Sequence, residues 1–377
     1  MNRLVWFFLV AFLPSTCYLQ AKIYDLKKHG YEQYQDIYVN GKVQKKASYH
    51  ERYKEKRFQI VDSVLSKYKR PFTMLDVGAA QGYFTFRAAE KYPQSVFVML
   101  EGSNSVYPKI SRQVQSICKA NNTVDNVIWL DKPIVLQDFQ RLAKCEHFDV
   151  VLAQNILHWF PSNWKLLLDS FLKMSHVTII ELPPVESSLD AANARSRTAI
   201  HAYLQEHATE VIEGVPRHTN PSLKTIYYLF VNQKEQALLE QNSLIHPESK
   251  EREHCILFNF EQKNLCKKDL KAPYNKIVLP WEPGINLVTY LCLNGQYPNR
   301  NDLAEALVMD PEHRDWMPNN MVLQGKKMIL IDKGDPLNEP GGVGENFCTE
   351  SSLKKCKEVI LKGNEASLRN FVYHQSK

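Results

Sequence analysis

Five short apolar runs mark the middle of the chain: Thr73–Val77, Val96–Leu100, Val127–Leu130, Phe148–Leu152 and Val177–Ile180. Each is of strand length and too short for a helix. The segments between them are longer and more polar, and Tyr83–Lys91 and Trp164–Met174 carry helical spacing. Apolar strands alternating with helices predict a parallel sheet covered on both faces. Ahead of the first run, Phe58, Val61, Val64 and Leu65 recur at helical spacing within 53–68, so a helix should lead up to Pro71. Beyond the fifth run come a helix around 191–206 and two β-rich stretches, Thr225–Val231 and Cys255–Phe260. The fold class predicted is α/β, doubly wound and Rossmann-like, with a smaller C-terminal α+β extension. In residue numbers this divides the chain into 1–21, 22–52, 53–262 and 263–377.

The N-terminus has a different pattern. Leu4 to Leu13 is an unbroken apolar run preceded by Arg3 and broken by Pro14, with a small residue at Ala21. That reads as a secretory signal peptide or, if uncleaved, a signal anchor. Export or membrane anchoring is therefore expected, with the main domain facing the cytoplasm if the segment stays, because Lys22, Lys27 and Lys28 follow it. Residues 22–52 read as a basic, Tyr-rich arm. Across 22–70 there are 13 Lys/Arg and 6 Asp/Glu, a surplus of +7; with Arg3, and a total of +6, the chain from 71 onward nets −2. One basic segment on a near-neutral protein is not the footprint of a general nucleic-acid binder. Hydrophobic residues at 44% and charged residues at 23% exclude a disordered chain or a polytopic membrane protein. Eight cysteines include no C-x-x-C pair and no cluster with metal-ligand spacing, so no metal site is expected. Cys348 and Cys356 are the pair that an oxidising compartment could join. Asn121-Asn122-Thr123 is a glycosylation sequon.

The chemistry begins where the first strand ends, in Leu75-Asp76-Val77-Gly78-Ala79-Ala80-Gln81-Gly82-Tyr83. Gly78 and Gly82 frame a tight turn before a helix N-terminus near Tyr83, where a nucleotide-like ligand would lie across the strand ends. The second strand ends at Glu101, an acid placed to accept hydrogen bonds from both ribose hydroxyls. The Gly-x-Gly-x-x-Gly spacing of a pyrophosphate loop is missing. Asp76 would put a carboxylate at the mouth, which suits a cationic cofactor with an amino-acid tail. At these residues the chain resembles a class I S-adenosylmethionine-dependent methyltransferase, over roughly 53–262. The resemblance implies S-adenosyl-L-methionine as cofactor, held by Asp76, Gly78, Ala79, Ala80, Gly82 and Glu101. It further implies that Asp131 contacts adenine and that the fourth-strand segment Gln154–Trp159 lies beside the transferred methyl group. Ala79-Ala80 departs from the commoner Gly-x-Gly core of that motif.

Residues after the fourth strand define the methyl acceptor in such enzymes; here they are Asn155, His158, Trp159, Asn163 and Trp164. Asn155 and His158 are the catalytic candidates. His158 is either a general base or a packing histidine, and methyl transfer often needs only alignment. Glu181, at the end of the fifth strand, lines the acceptor pocket or its rim. The signature of amino-group DNA methyltransferases is absent. The acceptor itself is unidentified; the basic segment offers a surface for an anionic one.

A second pattern lies in the C-terminal third. His313-Arg314-Asp315, Asn320 and the strand Met328–Ile331 ending in Asp332-Lys333-Gly334 resemble the catalytic loop of protein-kinase-like phosphotransferases. By that resemblance Asp315 orients a hydroxyl nucleophile while Asn320 and Asp332 hold Mg²⁺, with a short hairpin between them. A Gly-rich phosphate loop and an upstream Lys-bearing strand are missing. The segment therefore reads as a kinase-like remnant, with an active phosphotransferase as the alternative and a non-catalytic binding protein as a third reading. The order methyltransferase then kinase resembles bacterial bifunctional enzymes that cap O-antigen chains, which points to a glycan acceptor.

Overall fold

Strand residues that are apolar on both faces need helices on both sides, and that requirement shapes the computed structural model of this chain. It describes residues 35–46, 52–104, 108–185, 194–216, 224–232, 245–246, 279–280, 283–294 and 321–330. After a hairpin, β1 (Ile37–Val39) and β2 (Lys42–Lys45), comes helix α1 (Arg52–Leu65). The order then runs β3 (Thr73–Val77), α2 (Tyr83–Lys91), β4 (Val96–Leu100), α3 (Ile110–Ala120), β5 (Val127–Leu130) and α4 (Leu136–Cys145). It continues with β6 (Phe148–Gln154), a 3₁₀ turn (Leu157–Trp159), α5 (Trp164–Lys173), β7 (Ser175–Leu182), α6 (Ala194–His207), β8 (Glu210–Pro216) and β9 (Lys224–Val231).

These strands form one seven-stranded sheet in the order β5-β4-β3-β6-β7-β9-β8. The first five are parallel; β9 runs antiparallel to β7, and β8 antiparallel to β9. The sheet is doubly wound and Rossmann-like, as the sequence pattern predicts. The antiparallel edge is a difference from an all-parallel sheet. β8 and β9 are joined by only seven residues, 217–223, which suffices for an antiparallel neighbour but not for a parallel crossover. β8 itself went unpredicted, because Glu210, Glu213 and Gly214 dilute its apolar pattern.

Alternation along the strands sorts the core into two layers. On one face Met74, Val150, Leu152, Val177, Ile179, Tyr227 and Leu229 meet α1 and α2 through Phe58, Val61, Leu65, Phe84 and Ala88. On the other face Leu75, Val77, Val151, Ala153, Ile180 and Tyr228 meet α4, α5 and α6 through Phe139, Leu142, Leu167, Phe171, Ile200 and Leu204. Each such side chain contributes about 1.5–3 kcal/mol on burial, so the two layers dominate the fold's stability.

The segment read as a basic arm contains an ordered hairpin. Asn40 (φ 47°) and Gly41 (φ 78°) form its turn, the Asn-Gly pair that favours a two-residue connection. Ile37 and Val39 are buried in a third cluster with Phe86, Met99, Val114 and Ile117. The hairpin also uses the sequon. Asn121 is buried, donates to Tyr38 O and Ile117 O, and accepts from Asn40 N. A glycan cannot occupy an amide that is buried and engaged in this way.

Two short strands, β10 (Ile245–His246) and β11 (Leu279–Pro280), pair with each other. Further on, β12 (Ile285–Asn286), helix α7 (Leu287–Asn294), β13 (Met321–Gln324) and β14 (Lys327–Leu330) dock on the sheet. β13 and β14 form the short hairpin expected between Asp315 and Asp332. Among the described residues, docking contacts lie at the amino ends of the strands: Gly284 N donates to Thr73 Oγ1 (2.6 Å), Thr289 Oγ1 to Glu146 (2.6 Å), and Lys326 Nζ pairs with Asp125 (2.7 Å). Asp315, Asn320, Asp332, the 255–260 stretch, residues 1–34, Cys348 and Cys356 lie outside the described residues. Among the described residues no helix is long and apolar enough to cross a membrane.

Candidate functional site

At the carboxyl end of β3 the chain turns through the loop 78–82 into α2. Gly78 (φ 69°), Ala80 (φ 50°) and Gly82 (φ 73°) all have positive φ. Added Cβ atoms explain the two glycines differently. At Gly82 the atom would meet Met99 and Phe86 at 2.7 and 2.9 Å, so core packing excludes a side chain. At Gly78 it would lie 2.4 Å from Ile156 and 3.2 Å from Ile134, side chains that roof the loop.

Ala80 occupies a conformation that costs a non-glycine residue roughly 1–2 kcal/mol. Its N–H is held at 2.8 Å by Glu101 Oε2, which fixes the strained turn. Ala80→Gly is expected to raise stability by about 0.5–1 kcal/mol, the strain relieved less the added chain entropy. A lower denaturant midpoint in the variant would instead assign a packing role to the Ala80 methyl.

Most of the loop's N–H groups are already engaged. Gly78 N and Ala79 N donate to Leu100 O, Gly82 N to Ala79 O, and Tyr83 N to Gln35 Oε1. Gln35 N in turn donates to Gln81 Oε1 (2.9 Å). A phosphate at this helix N-terminus would have to displace them, so the geometry agrees with a loop not built for pyrophosphate. Gln35 was not foreseen; the hairpin beside it was the missed signal.

Carboxylates surround the loop. Asp76 does not stand at its mouth. Its side chain shares the Met74 face of the sheet, lies buried beneath α2 and accepts from Thr85 Oγ1 at 2.6 Å. Burial pushes its pKa up to about 7, opposed by the Thr85 bond. Glu101 directly follows β4 and is likewise pushed up to about 7 by burial, against backbone donors at Ala80 and Gly102, with Asp76 and Asp131 adding repulsion. A carboxylate has about four lone-pair positions, so two backbone donors leave room for two more. Asp131 is exposed and accepts from Ser111 Oγ at 2.5 Å.

The segment after β6 is spread over several environments. Gln154 sends its amide nitrogen to Tyr227 OH at 3.1 Å. Asn155 has φ 57° and donates its N–H to Glu181 O at 2.8 Å. His158 is buried against the ring of Trp159, centroids 5.1 Å apart, while Trp159 is 53% exposed. The structure thus gathers Asp76, Gly78, Ala79, Ala80, Gly82, Glu101 and Asp131 around one loop. It turns Gln154 toward β7 and β9 instead.

There a buried polar group lies on the α1 face of the sheet. Arg57 from α1 makes an ion pair with Glu181, and its Nε lies 3.1 Å from Tyr227 OH. Tyr227 OH donates to Glu181 Oε2 at 2.7 Å. Only Glu181 of this group was singled out in the sequence. Arg57 and Tyr227 sit inside apolar periodic runs and gave no separate signal.

No protein-family model and no curated protein matches the chain. It is similar to a crystal structure of WbdD at 16% identity, over 94% of this chain and 100% of that one, with a TM-score of 0.44. Another WbdD structure is described as that of a bifunctional kinase-methyltransferase, at 15% identity and a TM-score of 0.43, covering 94% and 100% of the two chains. The N-terminal domain of EvdMO1 with SAH bound is similar at 16% identity, covering 58% of this chain and 97% of that one, TM-score 0.41. The N-methyltransferase NodS from Bradyrhizobium japonicum WM9 follows at 16%, 48% and 96%, TM-score 0.37.

Proposed function

We propose that this protein is a methyltransferase that binds S-adenosyl-L-methionine in the cleft over the loop 78–82. One observation carries the reading. Two carboxylates, the buried Asp76 and the half-buried Glu101, stand at the carboxyl ends of neighbouring strands beside a loop whose N–H groups are mostly used. Such a site rejects a phosphate and accepts a ligand that brings cationic and hydroxyl donors. Glu101 has lone pairs for ribose hydroxyls, Asp131 stands at the strand end where adenine would lie, and Asp76 places negative potential beneath the loop. When bound, the cofactor supplies a methyl group already activated by its sulfonium. The protein then has to align an acceptor and exclude water, tasks that need no strong base. Asn155 and Trp159 border the space for the acceptor, and the buried His158 supports Trp159 from behind. An anionic acceptor, a glycan among the candidates, suits the basic segment that precedes the sheet. Attachment through residues 1–21 would leave this domain facing the compartment in which the cofactor is made. No described contact favours the phosphotransferase alternative, because Asp315, Asn320 and Asp332 lie outside the described residues.

Calorimetric titration of S-adenosylmethionine and S-adenosylhomocysteine into the full chain is the test. Micromolar binding is expected for the wild type, with a loss of about a hundredfold in Glu101→Ala, two charge-assisted hydrogen bonds' worth. A folded wild type that binds neither ligand would end the methyltransferase reading.

A further inference from the structure

Gln154, Glu181 and Tyr227 occupy one lateral row of the sheet. β6–β7 register pairs Gln154 with Glu181, and β7–β9 register pairs Glu181 with Tyr227. Val77 pairs with Ala153, so the next position on the other side of Gln154 is Gly78, the first residue of the loop. The row therefore runs Gly78, Gln154, Glu181, Tyr227 across four adjacent strands. All three side chains lie on the face covered by α1, the helix that delivers Arg57.

The hydrogen-bond directions along this row are determined by the residue types. Glu181 is ion-paired to Arg57 and so can only accept. Tyr227, whose pKa burial and the Glu181 charge raise well above its ordinary value, keeps its proton and donates it to Glu181. Its oxygen is then left as an acceptor, and it receives Arg57 Nε and the Gln154 amide, each at 3.1 Å. Gln154 must present its NH₂ to Tyr227. With the NH₂ committed to Tyr227, the carbonyl oxygen is the end of the amide left for the other neighbour along the row, Gly78.

We propose that Tyr227, Glu181 and Arg57 are positioning residues that fix the Gln154 amide so that its oxygen faces the sulfonium and methyl of a cofactor bound over Gly78. The inference rests on the proposed cofactor and deepens it. A carbonyl dipole held toward a cationic sulfur favours the charged methyl donor over its neutral product. The ion pair and hydroxyl do not touch the ligand. They prevent the amide from flipping, which would aim two N–H groups at a positive charge.

The readout is the ratio of S-adenosylmethionine to S-adenosylhomocysteine affinity, measured by calorimetry on the full chain. Tyr227→Phe removes the acceptor and frees the amide, and should lower that ratio about tenfold, equivalent to about 1.4 kcal/mol, with S-adenosylhomocysteine affinity changed less than about twofold. Gln154→Leu should lower the ratio by the same factor, and it keeps the proposal testable if Tyr227→Phe does not fold. A merely structural role for Tyr227 would weaken both ligands equally and leave the ratio unmoved, which overturns the proposal. An unchanged ratio in folded Gln154→Leu also overturns it, while leaving the cofactor assignment standing. If the wild type binds neither ligand, the proposal falls together with that assignment.

Discussion

Asp76→Asn and Glu101→Gln are expected to make the ligand-free protein more stable at pH 8, although Glu101→Gln removes a carboxylate of the proposed cofactor site. Each wild-type carboxyl titrates near 7 in the folded protein because burial disfavours its charge. Its unfolded value is about 4. The folded state therefore holds protons that the unfolded state has released between roughly pH 4 and 7. The contribution of these groups is fully present below about pH 4 and is lost as pH rises through 7. A carboxyl that moves from about 4 unfolded to about 7 folded loses roughly 4 kcal/mol of stability across that window, an upper value for Glu101 because part of its shift comes from Asp76. An amide does not titrate, so the gain over wild type should be near zero at pH 4.5 and reach about 2–4 kcal/mol at pH 8. Denaturant unfolding across that range checks it. Variants less stable than wild type at pH 8 would show that the buried carboxylates are stabilised by contacts that outweigh their desolvation. The same result bears on function. A stability cost at two strand-end carboxyls is what the proposed cofactor site requires, since a bound cation would offset it.

Much of this arrangement was legible in the sequence, and the exceptions have physical causes. Thr73–Val77, Val96–Leu100 and Val127–Leu130 were readable to the residue, since all three are short, mainly apolar runs bounded by polar turns, the first two buried on both faces. Helix α2 was equally plain, because Gly82 marks its start. The depth of Asp76 was not: an aspartate in a strand gives its position in the period but not which helix covers that face, and Thr85 on α2 supplies the answer. The Asn40-Gly41 turn was present in the sequence and was overshadowed by the charge and Tyr content around it. Arg57 and Tyr227 were hidden for a different reason. They lie 170 residues apart, and only the three-strand register brings their polar ends to Glu181. Long-range polar contacts of this kind leave no local period to read.

At the opposite end of the same sheet Asp149 is also fully buried, yet it is expected to behave in the reverse sense. Burial alone would raise its pKa, but the His176 hydrogen bond and the Arg70 charge outweigh it and hold the carboxyl well below the usual range. Arg70 Nη2 lies 2.5 Å from Oδ1, His176 Nδ1 3.2 Å from the same oxygen, and Thr73 N donates to Oδ2 at 2.7 Å. Arg70→Met leaves the charge without its guanidinium and is expected to cost about 3–5 kcal/mol at pH 7, the usual penalty for breaking a buried pair. A loss below about 1 kcal/mol would mean that His176 and the Thr73 N–H suffice to hold the carboxylate. The sign with pH follows from the depressed value. Asp149 stabilises the fold above its unfolded pKa of about 4, and that contribution is lost as pH falls further. Its effect and that of Asp76 and Glu101 meet near pH 4–5, where the ligand-free wild type should be most stable. Arg70→Met should flatten the acid limb of that profile and leave the limb above pH 5 unchanged, whereas Glu101→Gln should do the opposite. One residue thus ties the amino ends of β3 and β6 together beside the contact between Gly284 and Thr73, while the other two stand at the carboxyl ends of β3 and β4, where the proposed cofactor would bind.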